Sequence, residues 1–377
     1  MSDERCVKSS LSLITCHLCL TYTIGRNMKP KTTFFFLLIS LLPSACGSQP
    51  TPMPEITPTL TATIQPTATS IPSPAPTNAL QPTPTLTNWC SPDGVLKNDF
   101  SVVGYFPDYR EFNIEWGEVV TDFIYFSAEP FPNGSLNAYR LKPKVLQGMR
   151  EMKAVYGTRL FISIGGYERS EHFSTMVRYE KPREKFAEEL IQFALENNLD
   201  GIDFDWEFPQ TSAEIAGYME LMKTIRDSGL IVSVALYPFE EFDLAPYADI
   251  DRIYIMSYER GLQHSTYEQS IRDVEFFLDA GVPPEKIFLG IPFYGREMAY
   301  PQRAFTYAEI VDAYAPSAET NEVENIYFNG IQSVRDKTRY AYENEFGGIM
   351  IWELAQDTQD ETSLLRAIGE ILLQSCQ

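Results

Sequence analysis

The chain has 377 residues, 44% hydrophobic and 13% aromatic, which is enough for one large domain with a sizeable core plus further segments. Its net charge of -21 repels phosphate backbones and anionic lipid, which argues against nucleic acid as a partner. Three scattered histidines, His17, His172 and His264, argue against histidine metal centres and against Ser-His or Cys-His catalysis. The cysteines at 6, 16, 19, 46, 90 and 376 include no facing pairs at zinc spacing, and Cys16-His-Leu-Cys19 lacks a second half, so no metal and no cofactor is expected.

In chain order, residues 1–27 are expected to be an untranslated upstream extension. From Met28, Lys29 and Lys31 form a basic head, Phe34 to Leu42 an apolar run, and Ser44-Ala45-Cys46 a small-residue cleavage site. The run is too short to span a bilayer. Residues 28–45 resemble a bacterial lipoprotein signal, which implies a lipid on Cys46 and a place on the cell surface. Such signals prefer Leu three residues before the cysteine, where Pro43 stands here; an ordinary cleaved signal and free secretion are the alternative. Residues 46–89 are then expected to form a disordered linker of Pro, Thr, Ala and Ser, too polar to offset its ordering entropy and able to extend about 120 Å. Membrane contact is expected only through the N-terminal lipid.

Residues 90–377 read as the globular domain. Short apolar, β-branched runs are expected as strands at 101–106, 121–127, 159–166, 199–207, 230–238, 252–259, 287–295 and 347–354. Amphipathic stretches such as 182–198 separate them. Eight βα units over about 280 residues predict an α/β fold, a (β/α)8 TIM barrel, with a doubly wound open sheet as the alternative. Polar and aromatic residues gather at the C-terminal strand ends, which favours the barrel. The connection 296–346 is longer than one helix needs and is expected to carry a small insertion. Cys90 and Cys376 flank the barrel, whose closure brings its ends together. A disulfide is expected there, two free thiols being the alternative.

The segment "LDGIDFDWEFP" (199–209) places acids within a buried strand pattern. Alternation puts Asp203, Asp205 and Glu207 on one face and Ile202, Phe204 and Trp206 on the other. Asp200, of opposite parity, falls at the strand's start, where it is expected to make structural hydrogen bonds. Three like charges in a partly dry interior cannot all ionise, so at least one carboxyl pKa rises and leaves an acid able to protonate a leaving oxygen. A carboxylate metal site and a solvated edge strand are the alternatives. Ordinary glycosidases flank the scissile bond with two carboxylates. Here all three rise from one wall, so the nucleophile comes from another strand or from the substrate's own N-acetyl group.

"DGIDFDWE" resembles the DGxDxDxE signature of glycoside hydrolase family 18, the chitinases and their relatives. "FISIGG" (161–166), "GYF" (104–106), "MSY" (256–258), "PFYGR" (292–296) and "IWEL" (351–354) resemble that family's motifs on other strands. The resemblance implies a retaining, substrate-assisted hydrolase of β-1,4-linked N-acetylglucosamine polymers, expected to be a monomer with an open groove. It implies Glu207 as acid and then base, Asp205 as the carboxylate that orients the N-acetyl group, Asp203 as its partner, and Tyr258 as donor to the acetamide oxygen. It implies Trp352 as floor of the subsite, Tyr105, Phe126 and Met256 as its lining, and Glu259, Tyr294 and Arg296 beside it. Ser163, Gly165 and Gly166 let the third strand pack beneath the acids. Glu259 stands where chitinases usually have Asp. N-glycan cores or peptidoglycan as substrate, and a binding protein without turnover, are the competing expectations.

Overall fold

The computed structural model describes residues 100–238 and 243–374. Eight parallel strands close into a barrel: β1 (Ser101–Pro107), β2 (Asp122–Pro130), β4 (Arg159–Gly165), β5 (Gly201–Asp205), β6 (Ile231–Leu236), β7 (Arg252–Ile255), β8 (Ile287–Pro292) and β13 (Gly348–Trp352). The pairing of β1 with both β2 and β13 completes the ring and excludes the open sheet. A short β3 (Leu136–Asn137) adds antiparallel to β2. Helices α1 (Pro143–Tyr156), α2 (Phe173–Arg178), α3 (Glu180–Asn197), α4 (Ser212–Asp227), α5 (Tyr267–Asp279), α7 (Ile331–Glu343) and α8 (Leu364–Gln374) complete the α/β architecture. Residues 1–99 and 375–377, with Cys46, Cys90, Cys376 and the signal and linker segments, lie outside the described residues, as do 239–242.

Side-chain alternation divides the core in two. Ile202, Phe204 and Trp206 join the larger cluster between barrel and helices, where Trp206 stacks on Phe173 of α2 at 5.0 Å and meets Tyr218 of α4 edge-on at 5.2 Å. Tyr105, Phe126, Phe161, Tyr254, Met256, Tyr258 and Phe288 form the second cluster, inside the barrel. Helix α4 starts on a capping box: the Thr211 hydroxyl accepts from the Glu214 N–H, and the Glu214 carboxylate accepts from the Thr211 N–H.

At the N-terminal ends of the strands, fully buried Asp122 receives Arg159 Nε at 2.6 Å and Arg252 Nη1 at 2.9 Å. Burial alone would raise its pKa, but the two guanidiniums outweigh that and hold it below the usual aspartate range. Asp200, just before β5, accepts Lys153 Nζ of α1 at 2.8 Å on both oxygens and the Leu160 N–H at 2.8 Å. Substituting Asp200 by Ala removes a half-exposed ion pair and a backbone acceptor far from the cleft. Urea denaturation should show a loss of about 1–2 kcal/mol with kcat unchanged.

The connection between β8 and β13 carries an inserted four-stranded antiparallel sheet, in the order β10-β9-β12-β11, from β9 (Tyr294–Glu297), β10 (Ala304–Thr306), β11 (Glu322–Val323) and β12 (Ile326–Tyr327), together with helix α6 (Tyr307–Tyr314). The sequence reading of 287–295 as one strand is corrected here. The chain leaves the barrel at Phe293, whose N–H donates to Trp352 O at 2.8 Å, and Tyr294 already pairs with Thr306 in the second sheet.

Candidate active site

The three acids climb one wall toward the C-terminal mouth. Asp203 is fully buried and bonded from three strands: Tyr105 Oη at 2.7 Å and Ser163 Oγ at 2.8 Å on Oδ2, and Ser233 Oγ at 2.8 Å on Oδ1. Burial raises its pKa, the three hydroxyls oppose the rise, and it settles at about 6. Asp205, 5% exposed, has no hydrogen-bond partner on Oδ1 among the described residues. Burial drives its pKa well above the aspartate range, and the charges of Glu207 and Asp203 add to the rise. Glu207 is half-buried; burial raises its pKa, against a backbone hydrogen bond from Tyr167.

Gly165 and Gly166 bring β4 against this wall. Their φ values of +100° and +104° suit glycine, and the Gly166 N–H donates to Asp205 O at 2.6 Å. A Cβ at Gly165 would stand 2.5 Å from that same oxygen, and one at Gly166 only 2.1 Å from the Phe126 ring.

Above the acids opens a cleft of about 870 Å³ lined by Phe126, Asp205, Glu207, Met256, Tyr258 and Trp352, among others. Trp352 is partly exposed and meets Phe126 edge-to-face at 4.9 Å. Tyr258 is 7% exposed; burial, then the charges of Asp205 and Glu207, raise its pKa, so its hydroxyl stays a donor. Glu259 lies on the same cleft. Its Oε1 takes Tyr294 Oη at 2.6 Å, Arg296 Nη2 at 2.6 Å and Arg296 Nε at 2.9 Å, so the inserted sheet supplies both partners.

The structure therefore gathers Asp203, Asp205, Glu207, Tyr258, Phe126, Met256, Trp352, Glu259, Tyr294 and Arg296 at one end of the barrel. Tyr105 departs from expectation. At 1% exposure it does not line the cleft; its hydroxyl turns down to Asp203. The strands expected at 199–207 and 252–259 are also shorter. Pairing stops at Asp205 and Ile255, leaving Glu207, Tyr258 and Glu259 in loops beyond the strand ends. Arg169, Tyr109, Tyr167, Phe208 and Tyr237 line the cleft and were missed. Arg169 donates to Asp108 Oδ1 at 2.8 Å and to Ser127 Oγ at 3.1 Å, and lies over the Phe126 ring at 4.9 Å. Its place three residues after Gly166, on a loop at a strand's C-terminal end, was the available signal.

The family model for glycosyl hydrolases family 18 matches residues 101–357. Among solved structures, the chain resembles the GH18 chitinase ChiB from the chitin utilization locus of Flavobacterium johnsoniae, with a TM-score of 0.65 and 30% identity over 72% of this chain and 94% of that one. Probable chitinase 10 of Drosophila melanogaster is 22% identical over 353 aligned residues, covering 70% of this chain and 15% of the relative. Probable chitinase 2 of the same organism is 22% identical over 277 residues, covering 54% and 56%. The chain thus spans well under two thirds of these curated relatives' lengths. The match of the family model, with the closed barrel and the acid column on its fourth strand, establishes that the chain belongs to glycosyl hydrolases family 18.

Proposed function

We propose that this chain is a retaining glycosidase that cuts β-1,4-linked N-acetylglucosamine polymers, chitin or chito-oligosaccharides, with the substrate's own acetamide as nucleophile. One observation carries the reading. Asp205 keeps an unbonded oxygen beside Glu207 on a single wall. Among the described residues lining the cleft, the remaining carboxylate is Glu259, which Arg296 and Tyr294 already engage. No free carboxylate is left there to attack from the opposite face.

In this reading Glu207 donates its proton to the glycosidic oxygen as the acetamide carbonyl oxygen attacks the anomeric carbon. Asp205 accepts from the acetamide N–H and balances the positive oxazolinium-like ring. Tyr258 donates to the acetamide oxygen, and Trp352 carries the apolar face of the sugar. Ionised Glu207 then takes a proton from the water that opens the ring, which restores the original anomeric configuration.

A neutral polymer fits the cleft's charges. Arg169 is paired with Asp108 and Arg296 with Glu259, so neither is an unpaired cation for the carboxylate of muramic acid in peptidoglycan. Labelled chito-oligosaccharides, fully acetylated and de-N-acetylated, test the proposal by NMR. The acetylated series should be cut with β-anomer appearing first and the deacetylated series should survive. Equal cleavage of both, or α-anomer first, would overturn it; faster cleavage of sacculi or of N-glycan cores would replace the substrate. The placement extends to the cell surface through a lipid on Cys46, supported by the order of basic head, apolar run and small residues before that cysteine.

A further inference from the structure

Tyr258 and Glu259 are adjacent cleft residues that regular strand pairing does not hold. Pairing of β7 with its neighbours ends at Ile255, and Glu259 sits at φ +60°, a left-handed conformation that a glutamate adopts only when its surroundings impose it. The chain here needs ties from elsewhere, and two of them, from Ser257 and Arg260, meet on one carboxylate.

Asp273 lies on α5, behind the barrel wall, 2% exposed. Its Oδ2 accepts from Ser257 Oγ at 2.8 Å. Its Oδ1 accepts from Gln269 Nε2 at 2.8 Å and faces Arg260 Nη2 at 3.2 Å. Ser257 and Arg260 are the residues immediately before and after the Tyr258–Glu259 pair, so a single side chain grips both ends of that dipeptide.

The remaining contacts extend the grip without duplicating it. The Arg260 N–H donates to His264 O at 2.9 Å, its Nη1 donates to Pro238 O at 3.2 Å, and its guanidinium lies 5.1 Å over the Tyr237 ring. Tyr237 Oη in turn donates to Glu259 O at 3.0 Å. On the far side, Ser265 Oγ donates to Ser257 O at 2.8 Å, while fully buried Lys337 Nζ of α7 donates to Ser265 O and Oγ at 2.9 and 2.8 Å.

We propose that Asp273 is a positioning residue for the Tyr258–Glu259 pair, acting through Ser257 and Arg260 to fix the tyrosine hydroxyl where it meets the substrate amide. The proposal rests on the reading of Tyr258 as donor to the acetamide oxygen. It differs from a plain structural role, in which Asp273 serves only as a counter-charge in the buried interior, by requiring that its effect on rate pass through Tyr258.

A double-mutant cycle on the full-length protein separates the two. Asp273→Asn keeps the shape and removes the charge; Tyr258→Phe removes the hydroxyl. Each single variant should lower kcat on an acetylated chito-oligosaccharide, Tyr258→Phe by about 100-fold and Asp273→Asn by about 30-fold with KM changed less than about threefold, and the double variant should match Tyr258→Phe within about threefold. Multiplying losses, or wild-type kcat in Asp273→Asn, would overturn the role of Asp273 while leaving Tyr258 in place. Wild-type kcat in Tyr258→Phe would instead overturn the reading of Tyr258, and the proposal with it. Should Asp273→Asn fail to fold, as judged by its thermal transition, Ser257→Ala enters the same cycle; it severs the Oδ2 arm, together with the Ser257 Oγ bond to Ser270 Oγ at 3.1 Å, and leaves the buried charge balance intact.

Discussion

Replacing Glu207 by Gln should lower kcat on an acetylated chito-oligosaccharide by about a thousandfold, because the amide preserves size and polarity and removes the transferable proton. Calorimetric affinity for the uncut oligomer should stay within about threefold, since the lost interaction exists chiefly in the transition state. The parent's pH profile carries the same signature. Burial raises the Glu207 pKa, so the protonated form persists above the ordinary glutamate range. Activity should fall as pH rises through that raised value, where the acid is lost, and this limb should vanish with Glu207→Gln. Turnover of the variant within tenfold of the parent would sink the assignment of the acid.

Asp205→Asn should produce the second large loss, about a hundredfold or more in kcat, because a neutral amide cannot balance the positive ring that forms beside it. It should also move stability in a defined direction. Burial, then the charges of Glu207 and Asp203, raise the Asp205 pKa well above its unfolded value. The folded state therefore binds a proton that the unfolded chain has released, and folding becomes less favourable as pH rises through the folded pKa. Asparagine cannot ionise. Thermal melts should find the variant more stable than the parent in alkaline buffer, with the gain shrinking as pH falls from the raised folded pKa toward the ordinary aspartate value and absent below it. A variant that is inactive and less stable across the whole range would show that Asp205 serves the fold and not the chemistry.

Much of the barrel and the acid column was legible because both rest on local rules. Eight β-rich runs fell on the eight barrel strands, and simple alternation separated Asp203 and Asp205 from Phe204 and Trp206. What the sequence could not yield depends on the third dimension. Tyr105 carries the same parity as a cleft residue, yet its depth below the mouth, where its hydroxyl finds Asp203, is set by the stagger of β1 against β5. The break at Phe293 is invisible in an apolar run that continues smoothly into Tyr294; only pairing with β10 shows that a second sheet has begun. Arg169 and Asp108 come from different loops, after β4 and β1, and meet across β2, which pairs with both strands.

The Asp122–Arg159–Arg252 cluster has a practical consequence. It sits at the strands' N-terminal ends, whereas the acid column opens at their C-terminal ends, so protein engineering can address the two independently. Losing Asp122 leaves two guanidiniums without their shared carboxylate, and losing either arginine leaves Asp122 paired with the other, whereas exchanging the buried Asp122–Arg252 pair for well-packed hydrocarbon removes its dehydration penalty altogether. A thermotolerant version of this protein is thus best sought at that end, away from the cleft.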